Sequence, residues 1–175
     1  HASAEAIATL GKVDILVNNA GIISRLMTVV ETPMEQLMKE LHIHTIGAYQ
    51  FCQELIPQMR HQPRGDIIFI SSIATLLFRA QRSPYSMAKS SMEALTRVLA
   101  KEEQNNKIGV NAIAPGLVDS DMARELMKLD RGIDDYEEAT RTFPFGRLAE
   151  PSEIGYLCAF LVSSLGAYIT GQVIY

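Results

Sequence analysis

Three short apolar runs, residues 13–17, 67–70 and 108–112, limit most strongly what this chain can fold into. The middle run, Ile67, Ile68, Phe69 and Ile70, has no polar residue in it, and its length suits a strand better than a helix. A strand with one wet face alternates polar and apolar residues, whereas a continuous apolar run marks a strand covered on both faces, as in a parallel sheet. Parallel neighbours need a crossover of a dozen or more residues, and helix-length stretches separate the runs. The chain therefore reads as α/β, a parallel sheet with flanking helices, in one domain spanning 1–175. Each run closes on small or polar residues: 18–21 after the first, Ser71 and Ser72 after the second, Pro115 and Gly116 after the third. Ligands bind at the carboxyl edge of such sheets.

The intervening segments carry helix signals. Residues 2–10 read as a helix stopped by Gly11. Thr32 as cap, Pro33 and Glu35 open a long helix running to about Met59, with an apolar stripe of Leu37, Leu41, Ala48, Phe51, Leu55 and Met59 and Pro57 near its end. Pro84 fits the first turn of another, which continues through Met92, Leu95, Val98 and Leu99. Residues 121–145 are charged and interrupted, with Met122, Leu126, Met127 and Leu129 as a weak apolar face, and read as a lid. A last helix opens at 150–153 and presents Ile154, Leu157, Cys158, Leu161 and Val162, and 168–175 begin a final strand.

Residues 72–89 bring together the chemistry. Tyr85 and Lys89 stand one turn apart on one helix face, so the ammonium can lie beside the phenol, and Ser72 leaves the strand end at the same sheet edge. A hydroxyl, a phenol and an ammonium near one oxygen can hold it and exchange a proton with it. A Tyr packed under a Lys stem would give the same spacing, so the company these residues keep decides between the two.

That company is Asn18, Asn19, Ala20 and Gly21 after the first run, Ser72 thirteen residues before Tyr85, and the stretch 111–116 after the third run. In this order they resemble the short-chain dehydrogenase/reductase family, most of all its 3-oxoacyl-acyl-carrier-protein reductase-like members, over residues 11–175. The resemblance implies the C-terminal part of a doubly wound, Rossmann-type fold, with NAD or NADP as cofactor and a small-molecule alcohol or ketone as substrate. It implies catalytic roles for Ser72, Tyr85 and Lys89. It implies cofactor contacts from Asn18, Ala20, Gly21, Tyr85, Lys89, Pro115, Gly116, Val118 and Ser120, the last standing where the family usually has Thr. It also implies pairing of two subunits through the 33–59 and 85–105 helices. His44 departs from the pattern, occupying the position of a family Asn that kinks its helix and fixes a proton-relaying water; an imidazole could serve in such a relay or simply pack. The family's Gly-x-x-x-Gly-x-Gly loop occurs nowhere in the sequence, nor does its short Asp-Gly-Gly tail, so the first β-α-β units are expected to be absent. That loop holds the cofactor pyrophosphate on a helix N-terminus, and the residue that chooses NAD or NADP follows it. The first strand would then be an open apolar edge, and residues 1–175 alone are expected to associate through it and to bind NADH and NADPH weakly.

The expected reaction is hydride transfer between NAD(P) and a secondary alcohol or ketone. Tyr85 is the general acid or base, Ser72 holds the substrate oxygen, and Lys89 lowers the phenol pKa and binds the nicotinamide ribose. An ammonium about 5 Å from the phenol at an effective dielectric near 20 contributes roughly 3 kcal/mol, which places the expected pKa near about 8. The alternative is a non-catalytic unit that keeps fold and motifs without holding cofactor. A hydrolase with Ser72 as nucleophile is weaker, since no Gly-x-Ser-x-Gly surrounds it.

A net charge of −4 with scattered basic residues gives no footprint for nucleic acid or an anionic membrane, and no apolar run approaches a membrane span. Cys52 and Cys158, far apart and without a metal-ligand companion, read as free thiols of a cytoplasmic protein, with no metal site.

Overall fold

The computed structural model describes residues 2–131 and 136–175, without the side chains of 129–131. Helix α1 (Ala2–Leu10) ends at Gly11, whose φ of +76° is the left-handed conformation that stops a helix there. Strands β1 (Ile15–Asn18), β2 (Gly65–Ile70), β3 (Ile108–Ile113) and β4 (Val173–Ile174) form one sheet in the order β1-β2-β3-β4, parallel throughout. Leu16 pairs with Ile67 and Ile67 with Val110, which fixes the alternation of faces across the sheet.

One face packs on the crossover helices. Helix α2 (Met34–Leu41) runs through a π-helical turn, His42–Ile46, into α3 (Gly47–Met59), and α5 (Ser83–Glu103) lies beside them. Ala48, Cys52, Leu55, Ile56 and Met59 of α3 and Met92, Leu99 and Ala100 of α5 close with Ile67, Phe69, Val110 and Ala112 into the main core. The other face is covered by α8 (Pro151–Val162), whose Leu161 packs with Ile68 and Ile113. Between β3 and α8 lie α6 (Asp121–Arg131) and α7 (Tyr136–Arg141), with Ala123, Met127 and Leu148 as their own small cluster; the expected contribution of the Leu129 side chain lies outside the described residues. A short helix, α4 (Ala74–Leu77), follows β2.

Two details correct the sequence reading of the long helix. The Thr32 hydroxyl donates back to the Thr28 carbonyl at 2.7 Å, so it is no cap for α2. The wide turn at 42–46 holds one residue more than an α-turn and advances the phase, so Cys52 and Ile56 take inner positions while Phe51 remains 39% exposed.

β1 stands at the sheet edge as expected, and Ile15 and Val17, on the α8 side, are nearly half exposed. Asn111 of β3 is structural: its amide donates to the Ile169 carbonyl at 2.7 Å and its Oδ1 accepts from Gln172 N–H, which ties the approach to β4 onto the sheet. The turn after α8 tolerates no side chain at Gly166, where a Cβ would lie 2.6 Å from the Leu161 carbonyl oxygen and 2.7 Å from that of Phe160. Backbone cannot swing aside as a side chain can. Gly166→Ala is therefore expected to destabilise the chain by about 2–3 kcal/mol in urea unfolding, and an unchanged midpoint would show that the turn can relax.

Candidate active site

A cleft of about 1310 Å³ opens at the carboxyl ends of β1, β2 and β3. Ser72, Tyr85, Lys89 and His44 line it, as do Ala20, Gly21, Pro115, Gly116, Val118 and Ser120. Thus ten of the eleven residues singled out in the sequence face one space. Asn18 does not: as the last residue of β1 it shares the inward parity of Leu16, is buried, and places its Nδ2 3.9 Å from Cys52 Sγ. Asn19 lines the cleft in its place.

Ser72 is set by the turn after β2. The Ile73 N–H donates to the Pro115 carbonyl and the Ser71 N–H to that of Ile113, so the two strand ends are stitched together. The Ala74 N–H donates to Ser72 Oγ at 3.2 Å, and the Ser72 hydroxyl in turn bonds the Tyr85 phenol. Behind them Glu93 of α5 accepts from Ser71 Oγ at 2.7 Å and Thr75 Oγ1 at 2.6 Å, fixing the turn to the helix that carries Tyr85 and Lys89.

Tyr85 and Lys89 emerge one turn apart on α5, with Lys89 Nζ 5.6 Å from the Tyr85 ring centroid. Lys89 is 4% exposed and donates to the Ile70 carbonyl at 2.7 Å. Burial pulls its ammonium down to about 8, against the opposing charge of Glu40. Burial also holds the Tyr85 phenol above its ordinary value of 10.0; the Ser72 bond and Arg82 lower it, and Glu40 raises it further. The expectation of a phenol near 8 is thus reversed for the protein's own groups, because the fold takes the phenol and its ammonium out of water together.

His44 sits in the π-turn, 1% exposed, its ring edge-on to Tyr85 with centroids 5.5 Å apart. Its Nε2 lies 2.8 Å from the Ile22 carbonyl oxygen and 3.2 Å from the Ile22 N–H, so the tautomer decides whether it donates to the one or accepts from the other, and Nδ1 has no partner among the described residues. A Cβ on Gly21 would lie 2.7 Å from His44 Cε1, so Gly21 makes room for the imidazole as well as for a ligand. Burial pushes His44 down to about 4, with the Lys89 charge adding to it and the Ile22 bond opposing. An unfolded His titrates near about 6.5, so between there and 4 the unfolded chain binds a proton that the folded chain refuses. Stability therefore falls as the pH drops through that window, by up to about 3 kcal/mol, and this group leaves it unchanged above. His44→Asn is expected to lose less stability than the parent between about pH 7 and about pH 4.5 in urea unfolding, and equal losses would contradict the assignment.

Ser120 is exposed at the start of α6, its Oγ accepting from the Ala123 N–H at 3.3 Å and donating to the Val118 carbonyl at 3.2 Å. Nothing lies within 4 Å of a Cβ built on Gly116, so a ligand can meet the backbone there. Val118 bridges to Ala149, joining the loop after β3 to the start of α8. Cys52 and Cys158 are free, the first buried and the second half-buried, and the described residues hold no cluster that could bind a metal ion. No helix among the described residues is long and apolar enough to cross a membrane.

Comparison with known proteins gives consistent matches. A family model described as enoyl-(acyl carrier protein) reductase matches residues 1–175. Human 3-oxoacyl-[acyl-carrier-protein] reductase is 35% identical over 165 residues, covering 94% of this chain and 65% of that protein. Among solved structures, the 3-ketoacyl-(acyl-carrier-protein) reductase of Brucella melitensis complexed with NADH superposes with a TM-score of 0.86 at 27% identity, over 99% of this chain and 69% of that one. The ligand-free aldohexose dehydrogenase of Thermoplasma acidophilum reaches 0.91 at 26% identity, over 99% and 70%. The chain spans about 65% of the length of the mammalian 3-oxoacyl-[acyl-carrier-protein] reductases it matches.

Proposed function

The chain belongs to the short-chain dehydrogenase/reductase family, and from that premise and the cleft we propose that it is an NAD(P)-dependent oxidoreductase interconverting a ketone and a secondary alcohol. The observation that carries this is the meeting of Ser72, Tyr85 and Lys89 at one end of a cleft whose walls are the small residues Ala20, Gly21 and Gly116. A cleft of about 1310 Å³ exceeds what a drug-sized ligand needs and suits a dinucleotide's nicotinamide half together with a substrate. NADH in the Brucella melitensis relative supports that choice of cofactor. Ala20 and Gly21 would lie against its adenosine side, Pro115, Gly116 and Val118 would meet the nicotinamide through backbone, and the Ser120 hydroxyl would bond the carboxamide.

Bound NAD(P)H supplies the hydride, and its oxidised ring supplies a positive charge. The chain's own part is positioning and proton transfer. Ser72 holds the substrate carbonyl oxygen and stabilises the charge that grows on it. Tyr85, kept protonated at neutral pH by burial, gives its proton to that oxygen, which suits carbonyl reduction; in alcohol oxidation its phenolate takes the proton back. Lys89 stands beside the phenol and would hold the ribose of the cofactor. His44 is neutral at physiological pH and serves first to hold the Ile22 peptide and the cleft wall; any proton relay through it would use the buried Nδ1. Tyr49, Phe51 and Val98, exposed on α3 and α5, support pairing of two subunits across those helices.

The test is reduction of a panel of ketones by the full chain with NADH and with NADPH, followed through consumption of the reduced cofactor. Turnover with either cofactor bears the proposal out. No turnover on any ketone, with cofactor demonstrably bound, would favour a binding role instead.

A further inference from the structure

Glu40 stands behind the cleft, and the chemistry proposed above makes no use of it. It is the one fully buried residue of α2, 1% exposed, at a position where the rest of the helix is at least partly open to solvent. A carboxylate taken out of water costs several kcal/mol unless charges and donors compensate it. Burial raises the Glu40 carboxyl above its ordinary pKa; Ser24, whose hydroxyl and backbone N–H both donate to it, and the charge of Lys89 oppose the rise, while Glu40 Oε2 has no hydrogen-bond partner among the described residues. The opposing charge lies on α5, against which α2 packs. There Lys89, 4% exposed, feels the charge of Glu40, as does Tyr85. One turn along from Glu40, the buried His44 presents its ring edge-on to Tyr85, whose ring centroid lies 5.6 Å from Lys89 Nζ, so the same run of helix that carries the carboxylate also meets the phenol and ammonium pair.

The other charged groups facing this cluster are accounted for. Arg82, at the start of α5, acts on Tyr85. Glu93, one turn beyond Lys89, is engaged by Ser71, Thr75 and Tyr175. His44 is neutral above its titration at about 4. Glu40 is the carboxylate whose field reaches Lys89, and it opposes the burial that would strip the ammonium of its proton.

We propose that Glu40 is a positioning residue, the buried counter-charge that keeps Lys89 protonated in its dry site and so decides at what pH the Tyr85 and Lys89 pair gives up its first proton. The second half of this rests on the oxidoreductase reading; the first half does not. Removing the negative charge makes proton loss easier from either member of the pair, so the sign is the same whichever titrates first.

The first measurement is an NMR titration of the full chain labelled with ¹³C at the lysine side chains, with the Lys89 signal identified by its disappearance in Lys89→Arg. In Glu40→Gln the Lys89 titration is expected to fall by about one pH unit or more, and in Glu40→Asp to stay nearer the parent. Glu40→Leu, which suits a buried helix position, provides the same comparison if the Gln variant is unstable. Lys89 titrating at one pH in parent, Gln and Leu chains, with circular dichroism unchanged, would overturn the counter-charge. The second measurement is the pH profile of kcat, whose limb is expected to move to lower pH in Glu40→Gln by the same amount. A shifted Lys89 signal in a chain with no turnover would leave the counter-charge standing and sink the oxidoreductase reading. A shifted signal with an unmoved kcat limb would overturn the proposed control of the pair.

Discussion

Tyr85→Phe is expected to lower kcat by about 10³-fold or more while leaving NAD(P)H affinity within about a few-fold. The ring keeps its edge-on contact with His44 and its place under the Lys89 stem, so the fold and the cleft wall are unchanged. What disappears is the hydroxyl, bonded by Ser72, that in the proposed reaction gives its proton to the substrate oxygen. A phenol held above its ordinary value by burial is fully protonated at neutral pH, so the loss should be deepest in the reductive direction. Steady-state kinetics with a fluorescence titration of the reduced cofactor separates the two quantities. A variant that kept a tenth of the parent's kcat would remove Tyr85 from the chemistry.

Lys89→Met is expected to damage both quantities, lowering kcat by about 10²-fold or more and weakening cofactor binding by about tenfold. The Met side chain fills much of the same volume, so packing on α5 survives, and the change is the loss of a buried ammonium and of its bond to the Ile70 carbonyl. Met spares the desolvation of the ammonium but leaves Glu40 buried without its counter-charge, so stability is expected to fall by about 3 kcal/mol, and the double variant Lys89→Met with Glu40→Leu is expected to recover most of that loss. Urea unfolding and kinetics of the double variant therefore discriminate between roles: recovered stability with turnover still lost assigns Lys89 to function, whereas turnover that returns with stability assigns it to the fold.

The parts of this architecture that local chemistry dictates were open to reading from residues alone. Ile67, Ile68 and Phe69 have almost no exposed surface because β2 is covered by α3 and α5 on one face and α8 on the other, and only an unbroken apolar run can survive there. Pro84 and the four-residue step from Tyr85 to Lys89 fix two side chains on one helix face, whatever the rest of the chain does. What escaped depends on contacts between distant segments. The parity of Asn18 follows from where β1 ends, one residue later than its apolar run suggests. The phase at Phe51 and Cys52 follows from the π-turn, which has no signature in hydrophobic spacing. Glu40 looks like an ordinary exposed residue of an amphipathic helix until α5 and Ser24 close over it, and the same closure reverses the expected shift of Tyr85. The kinship signal lay elsewhere, in the order of small motifs after three strands, and the match over residues 1–175 bears it out.

The central claim is that hydride passes in this cleft from a nicotinamide to a carbonyl carbon. Ketone reduced by the full chain with NADH or NADPH carrying deuterium at the transferable position tests it most directly, with the alcohol analysed by mass spectrometry and NMR. One deuterium at the carbinol carbon of every product molecule is the expected result, together with an equal amount of oxidised cofactor. An alcohol product free of deuterium, or a cofactor that binds and remains reduced, would contradict it.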